Sequence, residues 1–296
     1  MNRINGILKK MKNTRSILLI YISLLLSLCS SPETGNHEGT ISVSILPQKY
    51  FVEKIAGSDY KINVMIPPGA SPATYEPTPR QISELSGSDI YFRIGKIAFE
   101  KAWMKNLQKN NPDVKFVDLS EGIDYIITNE DHGDHKHVGE DPHIWMSPLN
   151  VLKMSEKIYI ELKSNFPEDS SLFRKNYVEF SKEIKEIDEL YRENITILEG
   201  KNFLIYHPAL GYLARDYGMI QHVLEFEGKE PPPSHIANII KEAKENDIQY
   251  IFIQSQFNMD NAKSLSKELG AEIIMIDPLN ENWKVEMLSI LEKLKQ

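Results

Sequence analysis

The sequence predicts an α/β chain of two lobes, each built on a four-stranded parallel sheet, with one long helix between them. Three observations predict it. Short β-branched apolar runs alternate with helical stretches, the alternation occurs twice, and an extended helical periodicity separates the two occurrences.

In the first half, residues 41–46, 62–66, 90–94 and 114–117 are apolar and β-branched enough to read as buried strands. Residues 48–56, 79–86 and 98–109 between them read as helices. Strands alternating with helices imply a parallel sheet covered on both faces. The second half repeats the design, with strands at 203–206, 221–225, 250–253 and 272–276. Its helices fall at 209–217, 234–246 and 260–269, and a closing helix at 283–295. Two Rossmann-like lobes are the simplest architecture.

Between the halves, a first helix at 149–164 is broken by Pro167, and a second runs over 170–199. Its apolar positions, Phe173, Tyr177, Phe180, Ile184, Ile187, Tyr191, Ile195 and Leu198, recur every three or four residues and share one face. Thirty residues would make a rod of about 45 Å, enough to reach from lobe to lobe. A coiled-coil dimer is the rival reading. The α/β units that flank the segment tightly favour an intramolecular backbone helix and a monomer.

The N-terminus is set apart from the fold. Arg3, Lys9, Lys10, Lys12 and Arg15 precede a 12-residue apolar run from Ile17 to Leu28, the layout of a secretory signal. The run is short for a membrane span, which needs about 20 residues. Met11 opens a more compact signal of the same kind and is an alternative start to Met1. Cys29, the single cysteine, follows Leu26-Ser27-Leu28. This junction resembles the lipobox of bacterial lipoproteins, in which the cysteine is acylated, although Leu28 occupies a place usually held by a small residue. The expected organisation is a lipoprotein signal at 1–28, a polar tether at 29–39, an N-terminal lobe at 40–166, a linker helix at 167–200 and a C-terminal lobe at 201–296. The expected location is the outer face of the cytoplasmic membrane, periplasmic or extracellular, with attachment by lipid and not by a span.

Removing residues 1–28 from 296 leaves 268, enough for two domains of ordinary size. The signal carries five of the 34 Lys and Arg and none of the 42 Asp and Glu, so the remainder has a net charge of −13. That balance argues against nucleic acid as a partner and suits a cationic ligand.

Among eight histidines, His207 follows the strand at 203–206, and Asp277 follows the strand at 272–276. Ligands of parallel sheets collect beyond the carboxyl ends of strands, so both point to a cleft. His143 lies in Asp141-Pro142-His143-Ile144-Trp145, a rigid turn before a helix. It belongs to the first lobe, and the other two belong to the second. A cation held by all three would bridge the lobes. Two imidazoles and a carboxylate suit zinc and also admit manganese or iron. A second cluster, His132, His135 and His137, lies in a polar segment expected to be a flexible loop and an accessory metal site. The rival is a solvated loop with incidental histidines. His37, His222 and His235 read as surface or packing residues.

Four stretches carry a family resemblance: Pro67–Pro79 (PPGASPATYEPTP), Asp141–Pro148 (DPHIWMSP), Tyr206–Gly218 (YHPALGYLARDYG) and Ile276–Leu279 (IDPL). In this order and spacing the chain resembles the cluster A-I solute-binding proteins of zinc/manganese ABC importers over essentially its whole mature length. The resemblance implies two lobes joined by a long helix, one metal in the cleft, and delivery to a membrane permease. It carries the metal ligands onto His143, His207 and Asp277, and a histidine at 207 resembles the zinc branch. The family's first histidine ligand does not carry over, because Ala73 stands where it is expected. Gln254, Glu76 and Glu225 are the candidates to replace it.

Two other functions compete. A secreted zinc hydrolase would use the His/Asp-rich segment 131–137, but no His-Glu-x-x-His helix and no Gly-x-Ser-x-Gly elbow occurs in the sequence. An adhesin on the same scaffold would leave metal a structural role. The chain is read as a carrier, not an enzyme.

Overall fold

In a computed structural model, the protein is described over residues 39–132, 135–226, 231–254, 257 and 259–295. The expected signal, Cys29 and residues 29–38 of the tether lie outside them. No helix among the described residues is long and apolar enough to cross a membrane.

The first sheet contains β1 (Thr40–Val43), β2 (Lys61–Val64), β3 (Ile90–Arg93) and β4 (Lys115–Asp118). All neighbours are parallel, in the order β2-β1-β3-β4. Helices α1 (Leu46–Ala56), α2 (Pro79–Ser86) and α3 (Ala98–Asn110) make the crossovers. Local chemistry fixes where they begin. Gln48 turns back so that its Oε1 accepts from the backbone N–H groups of Ser44 and Ile45, at 3.0 and 3.1 Å. At α2, Thr78 Oγ1 accepts from Gln81 N while Gln81 Oε1 accepts from Thr78 N, at 3.3 and 3.0 Å, with Pro79 in the first turn.

The second sheet contains β7 (Asn202–Ile205), β8 (Ile220–Val223), β9 (Tyr250–Gln254) and β10 (Glu272–Ile276), again all parallel, in the order β10-β9-β7-β8. Its helices are α7 (Gly211–Tyr217), α8 (Pro233–Glu245), α9 (Met259–Leu269) and the closing α10 (Trp283–Leu294). The two-sheet α/β architecture is therefore the one the alternation predicts.

Two elements differ from expectation. The segment expected to be a loop is an antiparallel ribbon, β5 (Ile127–His132) and β6 (His135–Glu140), with His132 opposite His135 and Glu130 opposite His137. Backbone pairing sustains it where apolar alternation gave little signal. The long helix also ends sooner. After α4 (Pro148–Asn165) and a 3-10 turn at Pro167–Asp169, α5 spans Ser170–Glu193, and a short α6 (Ile195–Leu198) follows. Asn194 ends α5: its side chain donates to Leu190 O at 2.8 Å, and its N–H bonds to Tyr191 O, tightening the last turn. The helix of 24 residues is about 36 Å long.

The face read from the sequence is the one that is buried: Phe173, Phe180, Ile184, Ile187 and Tyr191. It packs on α4 and α1 and reaches α10, where Tyr191 Oη donates to Met287 O at 2.7 Å. Glu183 of α5 accepts from Tyr50, Lys54 and Lys284, tying α1 and α10 to the same helix. Phe51 of α1 meets Trp283 of α10 edge to face at 5.4 Å, and Trp283 Nε1 donates to Trp145 O at 2.8 Å.

One apolar core consequently runs from Ile41 and Phe92 in the first sheet through the connecting helices to Phe203, Ile205 and Phe252 in the second. Alternate residues of β7 and β9, Leu204, Ile251 and Ile253, face the other way into a separate cluster under α8 and α9.

Candidate metal centre

β7 lies between β8 and β9, where strand order reverses. Ile205 at its end pairs with Val223 on one side and Phe252 on the other. Two residues further on, His207 and Glu225, just past their strands, therefore stand abreast of Gln254, the last residue of β9, where parallel sheets gather ligands. Gln254, buried, uses its amide on the backbone of His207: Nε2 donates to His207 O at 2.8 Å and Oε1 accepts from His207 N at 3.4 Å. Both carboxylate oxygens of Glu225 lie 2.9 Å from His207 Nδ1. The ring of Phe257 stacks on His207 at 5.4 Å. These contacts leave only Nε2 of His207 uncommitted.

His143 is prepared in the same way from the other lobe. Asp141 Oδ1 accepts from His143 N at 2.9 Å and lies 2.8 Å from its Nδ1. The 3-10 turn Ile144–Met146 follows, and the buried Trp145 sits 5.3 Å from the His143 ring.

The two Nε2 atoms face each other at 3.3 Å, with the rings 79° apart. A carboxylate can only accept, so each Nδ1 carries a proton, and in the neutral imidazole each Nε2 then presents a lone pair. Two lone pairs aimed at one space repel unless a proton or a metal cation lies between them. Two nitrogens at the usual 2.0–2.1 Å from a tetrahedral zinc ion are separated by ~3.3–3.4 Å. The spacing fits that ion, and the carboxylates behind both rings lock their orientation and set a negative charge behind each one.

Asp277 follows β10 and lines a cleft of about 250 Å³, whose walls include Ile45, Pro67, Pro68 and Asn280. Its Oδ1 accepts from Leu279 N at 3.1 Å, and its own N–H donates to Glu286 Oε1 at 2.9 Å. Trp145 Nε1 donates to Pro278 O at 2.7 Å, which stitches the Asp277 turn to the His143 segment. Among the described residues, no group of three His, Cys, Asp or Glu is gathered closely enough to hold an ion. The structure thus brings the two imidazoles together and leaves Asp277 on the neighbouring cleft wall.

Ala73 lies exposed in a turn, and its methyl group has no donor atom. Of the candidates to replace it, Glu76 is exposed, while Gln254 and Glu225 are engaged with His207. The sequence offered those two as candidate ligands, and the structure places both in hydrogen bonds to His207. The parallel register was the signal that could have revealed it. Asp141, within the recognised motif but given no role, holds His143. His132, His135 and His137 lie on the ribbon strands, and the accessory metal role expected of their side chains lies outside what is described. His222 bonds to Asn202 Oδ1 at 2.9 Å, as a packing residue would.

Residues 41–293 match the family described as ZnuA, zinc-uptake complex component A, periplasmic. The zinc-binding lipoprotein AdcA of Streptococcus pneumoniae is 26% identical over 307 residues, which cover 97% of this chain and 61% of that protein. The chain thus spans about three-fifths of that relative's length. The high-affinity zinc uptake system protein ZnuA of Bacillus subtilis is 26% identical over 293 residues, 92% of this chain and 91% of that protein. A crystal structure of ZnuA superposes with a TM-score of 0.78 at 32% identity, covering 87% of this chain and 98% of the other. The paired imidazoles on a two-lobed α/β frame and the match over nearly the whole described chain lead to one conclusion: this chain belongs to the family of the zinc-uptake complex component A proteins.

Proposed function

We propose that the chain is an extracytoplasmic carrier that captures a divalent transition metal ion, zinc first among them, and delivers it to the permease of an ABC importer. The observation that carries the reading is the pair of Nε2 atoms from opposite lobes, 3.3 Å apart and each backed by a carboxylate. His143 and His207 supply the two nitrogens, and Asp277 moves in from the cleft wall as the third protein ligand. With Ala73 in place of a donor, the fourth position of a tetrahedral ion is left to water or another small ligand. Manganese and iron are weaker candidates, because two imidazoles favour zinc. The names of the relatives support the metal and the transport role.

The same reading includes acylation of Cys29, a tether through residue 39, lobes at 40–166 and 201–296 about a linker at 167–200, and action as a monomer. It treats the chain as a carrier without hydrolytic activity of its own.

Equilibrium dialysis of the purified chain against zinc tests it. One tight equivalent is expected, with loss of tight binding in His207→Ala and no hydrolysis of ester or phosphoester substrates. A wild-type chain indifferent to zinc, manganese and iron would refute the reading.

A further inference from the structure

We infer that Tyr212 is a positioning residue for His143, holding the first lobe's imidazole in place from the second lobe. The inference rests on the carrier reading for its functional meaning.

Tyr212 lies on α7, five residues after His207, and is fully buried. Its hydroxyl donates to Asp141 O at 2.7 Å and accepts from Ile126 N at 3.2 Å. Asp141 N in turn donates to Ile126 O at 2.9 Å. That bond lies one step beyond the Ile127–Glu140 pair, so the Tyr212 hydroxyl closes the base of the β5-β6 ribbon. The residue it grips is the one whose carboxylate aims His143.

Neighbouring contacts make the grip specific to this helix. A β-carbon built on Gly211 would stand 2.7 Å from Asp141 Oδ2, so the backbone of α7 approaches that carboxylate as closely as only glycine allows. Arg215 lies over the Tyr212 ring at 4.9 Å and donates to Asp124 O at 3.0 Å, upstream of the ribbon. Asp216 accepts from Ser147 Oγ, downstream of His143. One short helix of the second lobe therefore holds the chain on both sides of the first lobe's ligand. Removing a hydroxyl bonded to the buried Asp141 carbonyl and the half-buried Ile126 N–H takes a partner from each, and the Asp141 carbonyl is then free to shift.

The test compares Tyr212→Phe with Tyr217→Phe in the full mature chain. Tyr217 is on the same helix and fully buried, and its hydroxyl donates to Asp188 at 2.8 Å, away from the site. Two readouts are taken: zinc affinity by chelator competition, and the imidazole Nδ1–H signal of His143 in the metal-free protein by NMR. Tyr212→Phe is expected to weaken zinc binding on the order of 10-fold and to shift the His143 signal. Tyr217→Phe is expected to leave both unchanged. Gly211→Ala, which displaces the Asp141 carboxylate without touching the hydroxyl, is the control for a moved Asp141 and should reproduce the Tyr212→Phe pattern. Should Tyr212→Phe fail to fold, 3-fluorotyrosine incorporated at Tyr212, which alters the hydroxyl's bonding and keeps the ring, carries the test with the same expected shift. Wild-type affinity and an unmoved signal in the tested variant would overturn the inference, as would an equal loss in Tyr217→Phe. If the wild-type chain takes up no zinc, the carrier reading falls separately. The His143 signal then decides the positioning claim alone: a shift supports it and an unmoved signal overturns it.

Discussion

Replacing Glu225 with alanine removes the carboxylate whose two oxygens both lie 2.9 Å from His207 Nδ1. Two things are lost: the fixed aim of the ring, and the negative charge that makes Nε2 a better donor to a cation. Losing such an outer partner lowers metal affinity by about 10–100-fold, or ~1.4–2.8 kcal/mol. The upper end is expected here, because Gln254 bonds to the backbone of His207 and, among the described residues, Glu225 is the group that holds Nδ1 of its ring. Glu225→Gln keeps an oxygen that can accept from Nδ1 while removing the charge, so its loss should fall between wild type and alanine. The fold itself should suffer little. The His207 side chain is 32% exposed, so water can replace the missing partner, and a partly exposed pair contributes at most about 1 kcal/mol. The assay is competition with a chromophoric zinc chelator at fixed pH and ionic strength, alongside thermal melts of the metal-free proteins. Glu225→Ala binding within twofold of wild type would refute the claim that the carboxylates prepare the imidazoles.

Other outcomes follow from the frame. Burial pushes the Glu100 carboxyl up to about 7, against hydrogen bonds from Ser44, Ile94 and Gly95 that favour its charged form. Between the ordinary value of 4.5 and about 7, the folded state holds a proton the unfolded chain has released. Stability should therefore fall by ~3 kcal/mol as pH rises through that window. Urea melts across it should show the slope in wild type and not in Glu100→Gln. Trp283→Ala should cost about 3–5 kcal/mol, and, because Trp283 belongs to the core shared by both lobes, the variant should still melt in a single transition by circular dichroism. The same shared core predicts that zinc changes the radius of gyration little, and a large compaction in small-angle scattering would contradict it.

The parts of the fold that were legible follow a strong physical periodicity. The face of α5 could be read because burial recurs every three or four residues, and α2 because it lies between two apolar strand-like runs; its reciprocal Thr78–Gln81 cap is seen only in the structure. The break at Asn194 was not legible, since the apolar spacing continues through Ile195 and Leu198 while a side chain ends the helix. The β5-β6 ribbon was missed because His, Asp, Glu and Lys dominate its sequence, and the backbone pairing that defines it leaves no pattern in side-chain hydropathy. For the candidate site, strand-end positions pointed to His207 and Asp277 and a rigid motif pointed to His143, and the structure brings the two histidines together. The carboxylates behind the rings differ in how visible they were. Asp141 is two residues from its histidine, whereas Glu225 reaches His207 only through the register of β7 against β8. Tyr212 was invisible as a site residue, because its role depends on a lobe interface that no local pattern encodes.

The most direct measurement is zinc K-edge X-ray absorption on the mature chain loaded with one equivalent of zinc and with His132, His135 and His137 changed to alanine, so that the ribbon histidines cannot contribute. The account predicts two imidazole scattering patterns at about 2.0–2.1 Å with light oxygen neighbours, and one imidazole fewer in His143→Ala or His207→Ala. An ion that shows no imidazole, or whose environment is the same in both variants as in their parent, would contradict it.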